Sequence, residues 1–168
     1  MNSEYLPPFE VLKAGLAVSS DGDVISMSRD LFAMLVRAAV AADFDPVWYR
    51  TANPDIVAAI EDGSIADELE HFCRMGYQEG RNPIYFAIDN EWYLSNYPDV
   101  SEAIGDHGYV DAEAHFNEAG YGEGRAADAM MMAQIEAWQH AISESRSKLE
   151  GVARREKSGT NDDEGLHL

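Results

Sequence analysis

The chain has 168 residues, 46% of them hydrophobic, and 31 acids against 12 bases give a formal charge of −19. That length and apolar content fit one domain with or without a tail and exclude wholesale disorder. The charge argues against binding a phosphate backbone and leaves a cation, a basic protein patch or a neutral glycan as the compatible partners.

The first twenty residues, "MNSEYLPPFEVLKAGLAVSS", carry an acid and two prolines where a secretory signal would place bases and an apolar run. No stretch is long enough to span a bilayer, so the expected location is cytoplasmic. Residues 1–24 read as mostly irregular, with at most a short helix around Phe9–Ala17. A helix is predicted from Arg29 to Ala42, capped by Ser28 and buried along Leu31, Phe32, Leu35, Val36 and Ala39. It would cover the open face of the first of two repeated units, because the end units of a stack need a cap. Together these form an N-terminal segment, 1–44.

Residues 45–83 and 89–127 are two copies of one unit, shifted by 44 and identical at 16 of 39 positions without a gap. The pattern is clearest in "HFCRMGYQEGR" (71–81) and "HFNEAGYGEGR" (115–125). A period of this size marks a stacked repeat. Each copy predicts three short helices. Asp45 caps a first helix that opens on Pro46. "NPD" at 53–55 and "YPD" at 97–99 break the chain before a second helix, which Gly63 ends in the first copy. The third, "IADELEHFCRMG", aligns Ile65, Leu69, Phe72 and Met75 on one face, with Gly76 expected in the left-handed conformation after it. Periodicities of three and four dominate, so the predicted class is all-α.

Within each unit, Tyr77 and Tyr121 are expected to pack under the closing turn, and Glu79 with Arg81, or Glu123 with Arg125, to pair locally. His71 and His115 read as neutral core histidines bonded to backbone carbonyls. The single cysteine, Cys73, faces Asn117 in the alignment and reads as a buried thiol.

The C-terminal stretch 128–157 predicts one long helix with Met131, Ile135, Trp138, Ile142, Ser145, Leu149 and Val152 spaced by four and three. This is a heptad seam of about three repeats. Met131 to Ile142 are expected to lie across the second repeat as its cap, and Ile135, Trp138, Ile142, Leu149 and Val152 to support weak self-association. Residues 158–168 read as a disordered tail.

No catalytic or metal constellation stands out. "GYGEG" lacks the Lys-Ser/Thr of a phosphate loop and follows a helix. Cys73 has no zinc-site partner, and His71 lies two residues away on a diverging helix face. "DGDVIS" and "DNEW" start like calcium loops, but no glutamate closes them. No carboxylate pair is singled out for hydrolysis. An active site exists once, whereas the distinctive residues here exist twice. No enzyme, cofactor or metal is therefore expected.

The pattern "EWYLSNYPDV" (91–100), "FDPVWYRTANPDI" (44–56) and "EGRNP" (79–83) resembles a bacterial tandem helical repeat of the type WYL, NPDV, HF, GY and EGR-P. That repeat is found beside glycosyltransferase domains and in surface-polysaccharide proteins. The resemblance covers 44–127 and departs from the pattern at Arg50, where Leu94 fits, and at "GRAA" in the second copy. It implies a non-catalytic interaction or adaptor module in exopolysaccharide or cell-envelope biology. The alternatives are a glycan-binding module and a small acid-dependent hydrolase. Trp48, Tyr49, Trp92 and Tyr93 are candidates for stacking on sugars, with His71, His115, Arg81 and Arg125 beside them.

Overall fold

A computed structural model describes residues 5–20, 22–106 and 108–159. Among the described residues the fold is all-α apart from one two-stranded ribbon and an isolated bridge between Ile104 and Tyr109. By contacts the chain divides into two compact units, Met1–Pro7 with Arg29–Ile135, and Pro8–Ser28 with Glu136–Leu168. In the latter unit, helix α1 (Phe9–Leu12) runs through one 3₁₀ turn into strand β1 (Ala17–Val18). This strand pairs antiparallel with β2 (Ile25–Ser26), a hairpin that the sequence reading lacks. Two residues per strand are too few for alternation to register.

In the larger unit, α2 (Arg29–Val40) ends two residues earlier than predicted. Ala33, Val36 and Val40, with Phe44 beyond the helix end, pack on the first core, so the stripe is rotated from the predicted one. Ala39 is exposed, and Phe32 meets Tyr77 with ring centroids 6.2 Å apart.

The first repeat is α3 (Pro46–Ala52), a 3₁₀ turn at Pro54–Ile56 leading into α4 (Val57–Glu61), and α5 (Glu68–His71) running into a π-turn at Phe72–Gly76. The second repeat is α6 (Asn90–Asn96), α7 (Pro98–Asp106) and α8 (Ala112–His115) with its own π-turn at Phe116–Gly120. Helix α9 (Ala129–Gly159) follows. It runs to the last described residue, and the predicted tail beyond it lies outside the described residues.

Aspartates shared by both copies start these helices. Asp45 Oδ1 accepts from the N–H groups of Val47 and Trp48, and Asp89 from that of Trp92. Asp67 and Asp111 accept from Glu70 and Ala114. Each such cap contributes about 1 kcal/mol. Part of the acidic surplus of the repeats is therefore structural.

Each repeat also closes on itself. The Asp45 N–H donates to the Pro83 carbonyl at 3.1 Å, and Asp89 N–H to Ala127 at 3.3 Å. Each closed unit has its own core: Tyr49, Ile56, Phe72 and Cys73 in one, and Tyr93, Val100, Ala112, Phe116 and Ala127 in the other.

The π-turns correct the predicted third helix. Tyr77 N–H bonds to Phe72 O and Tyr121 N–H to Phe116 O, five residues back. The extra residue in that turn rotates the following side chains. Met75 moves out to 40% exposure while Cys73 is buried. Gly76 does not take the left-handed conformation. Gly80 and Gly124 do, at φ 74° each, because the chain reverses there between glycine and arginine.

Candidate functional site

The residues common to the two copies build the same two devices in each. The first is buried. Tyr49 Oη and His71 Nδ1 are hydrogen-bonded at 2.8 Å, and Tyr93 Oη and His115 Nδ1 at 3.0 Å. Both tyrosines are 0% exposed. Burial raises both phenols well above their usual range and depresses both imidazoles, with Arg81 or Arg125 adding to the imidazole shift. All four groups are thus held neutral. The histidines are core residues as expected, but their partner is a tyrosine hydroxyl 22 residues away rather than a backbone carbonyl.

This pair explains the glycine that precedes Tyr77 and Tyr121. A Cβ on Gly76 would stand 2.1 Å from Tyr49 Oη, and one on Gly120 2.4 Å from Tyr93 Oη. The glycine is space for a hydroxyl.

The second device is a clamp. The Arg81 guanidinium donates to both oxygens of Asp55 at 2.9 and 2.8 Å, to Asn53 Oδ1 at 2.9 Å and to Glu79 at 2.6 Å. Arg125 repeats the pairing with Asp99 at 3.0 and 2.7 Å and with Glu123 at 2.6 Å. It lies over the Tyr97 ring at 5.0 Å, where Asn53 stands in the first copy. The local Glu–Arg pairs match the sequence reading. The bidentate bond to the "PD" turn, which ties the second helix to the exit turn, does not appear in it. The arginine bond holds Asp55 and Asp99 below the usual carboxylate range.

At one place where the copies differ, two neighbours differ together. Arg50 and Glu68 form an ion pair, with Glu68 only 7% exposed. The corresponding positions hold Leu94 and buried Ala112. Tyr109, edge-on to His115 at 4.7 Å, stands where the first copy has Ile65.

Two further differences lie at the junction of the repeats. Asn82 Nδ2 donates to the Asn117 carbonyl at 3.0 Å. The Asn117 side chain accepts from Phe86 N–H at 2.9 Å and donates to Phe86 O at 2.8 Å and Glu113 O at 3.0 Å, pinning the 84–88 link. In the first copy Cys73 occupies the Asn117 position, with a 280 Å³ cavity between it and α2. In the second copy Ala126 occupies the Asn82 position and is fully buried.

The junction also forms a groove of about 540 Å³, within the usual range for a small-ligand site. Trp48, Thr51 and Asn53 line it on the first helix side, Glu79, Arg81 and Asn82 on the exit turn, and Asn117 with Glu118 on the second repeat. Trp48 is half-buried, edge-on to Tyr85 at 5.0 Å, and its indole N–H is buried with no hydrogen-bond acceptor. The hydrogen bond that Tyr85 donates to Glu113 pushes its phenol up to about 12. Of the residues proposed from sequence, only Trp48 and Arg81 line this groove. Tyr49 and Tyr93 are sealed in the cores and present no face to a sugar. Trp92 packs edge-on against Tyr97, with ring centroids 6.2 Å apart.

Among the described residues no group of three or more His, Cys, Asp or Glu side chains is placed to hold a metal ion, and no helix is long and apolar enough to cross a membrane. No protein-family description, curated protein or solved structure matches the chain.

Proposed function

We propose that this chain is a non-catalytic binding module, an adaptor in bacterial surface-polysaccharide biology, and that the junction groove takes a short segment of neutral glycan. The observation that carries this reading is the lining of the groove. It combines one aromatic wall, Trp48, with the amides of Asn53, Asn82 and Asn117, the Thr51 hydroxyl and the carboxylates of Glu79 and Glu118. Hydroxyl-rich ligands are recognised by such mixtures, with amides and carboxylates fixing orientation beside an apolar face. The one guanidinium in the groove lining, on Arg81, is occupied by Asp55 and Glu79. A phosphate or carboxylate ligand would meet uncompensated negative charge there, so the ligand is uncharged. The resemblance of the repeat pattern supports the polysaccharide setting.

The repeated tyrosine, histidine, glycine and arginine residues serve as internal supports that hold the two walls at a fixed spacing. Titration of the protein with neutral oligosaccharides, followed by amide NMR, tests the reading. The side-chain amides of Asn82 and Asn53 and the backbone of Thr51 should shift together, and Trp48→Ala with Glu118→Ala should remove the response. Shifts confined to Trp92 and α7, or none for any neutral oligosaccharide, would overturn it.

A further inference from the structure

We infer that the outer part of α9 is a docking surface for a second copy of the same helix, paired antiparallel. Trp138, Ile142 and Leu149 are 69%, 54% and 51% exposed, and with Ser145 they continue the four-three spacing along one helix face. Large apolar side chains so exposed along one seam mark an interface rather than a scatter of surface residues.

Charge and side-chain size identify the occupant. The first half of α9 carries Glu136 and Glu144 and no Lys or Arg, while residues 145–155 carry Arg146, Lys148, Arg154 and Arg155 against Glu150 alone. A parallel partner sets base against base and acid against acid. An antiparallel partner sets each acidic half beside a basic one.

The same arrangement solves the defect at Ser145. With the two-fold axis between Ile142 and Ser145, Ile142 of each copy lies over the small Ser145 of the other, and Trp138 lies over Leu149. In a parallel pair the two serines would meet and leave a gap. The positions flanking the seam agree: Arg146 falls opposite Gln139, and Lys148 opposite Ala141, so no like charges are forced together. The rest of the chain is strongly acidic, and this helix is where two copies approach against the least repulsion. The inference does not depend on the glycan reading.

Sedimentation velocity on the full chain from about 1 μM to about 1 mM covers the range in which so small an interface dissociates. The sedimentation coefficient should rise toward a dimer, and Leu149→Asp should hold the protein monomeric with an unchanged far-UV spectrum. Orientation is read from R154C carrying a nitroxide, since Cys73 is only 3% exposed. With a rise of 1.5 Å per residue, an antiparallel pair centred at Ser143–Glu144 offsets the two labels by about 30 Å along the axis, whereas an in-register parallel pair leaves them level, separated only by the width of the two helices, about 20 Å. A strict monomer at the highest concentration, or a short label distance, overturns the proposal. A dimer that survives both Leu149→Asp and Trp138→Asp also overturns it.

Discussion

Replacing Gly76 with alanine adds one methyl group 2.1 Å from the Tyr49 hydroxyl oxygen. An ordinary contact needs more than about 3 Å, so the hydroxyl must retreat by about 1 Å, which overpacks the core and costs about 1–3 kcal/mol. The ring has little freedom to retreat, because Phe44 lies 5.2 Å away on one side and Phe72 5.8 Å away on another. The 2.8 Å bond to His71 is then lost, leaving buried polar atoms unpaired at about 1–3 kcal/mol. Against this, alanine gains about 0.5–1 kcal/mol over glycine in helical backbone. The net expectation is a loss of about 2–4 kcal/mol, read by urea denaturation followed by circular dichroism, with the m-value unchanged. Tyr49→Phe deletes the clashing atom. The nearest ring carbon is 3.3 Å from the new Cβ, so in that background Gly76→Ala should cost about 1 kcal/mol or less. The coupling between the two sites is therefore about 2 kcal/mol. If Gly76→Ala costs the same with and without the hydroxyl, the glycine is not there to make room for it.

His71 and His115 have pKa values depressed from the ordinary 6.5, mainly by burial. The unfolded chain therefore binds more protons than the folded one below that pH, so stability is full above pH 6.5 and falls as the solution is acidified. The depressed Asp55 and Asp99 add a second loss below their ordinary 3.8. Melting temperature followed from about pH 7 downward should show both arms, and H71Q with H115Q should flatten the first; an unchanged slope in that double variant would count against the buried pairs. At the junction, Asn117→Ala strands the Phe86 N–H and carbonyl and should cost about 2–3 kcal/mol, with faster hydrogen exchange at the Phe86 amide. Cys73→Asn, which puts the same amide under α2 away from the 84–88 link, should destabilise rather than stabilise; a gain in melting temperature would show that the amide finds partners there.

Local chemistry made much of this fold readable. Asp45 before Pro46 and the Pro54 and Pro98 breaks act within a few residues, so sequence order alone exposes them. The all-α class follows from the same short-range spacings. The π-turns are hidden because one extra residue in a turn rotates the pattern after it, and a fixed period of about 3.6 then assigns Met75 inward. The Tyr–His and Arg–Asp contacts join residues 22 and 26 apart. No periodicity reports such distances, although all eight residues are among those unchanged between the copies, and that joint retention is the available signal. The junction groove depends on which faces of two units meet. Only the paired differences, Cys73 against Asn117 and Asn82 against Ala126, hint at where that meeting lies.

The return of each repeat's last residues to its first makes the 44-residue step a splice unit. The chain leaves a repeat beside the point where it entered, so a further copy set between the present two would displace neither core. Its sequence can be specified: it needs the Asn117-type amide toward the repeat before it and the Asn82-type amide toward the repeat after it. Neither existing copy carries both, because each faces a neighbour on one side only. Concatenation by such a hybrid would lengthen the array by one core and one groove at a time, making the number of grooves a quantity that gene duplication, or a designer, sets by counting.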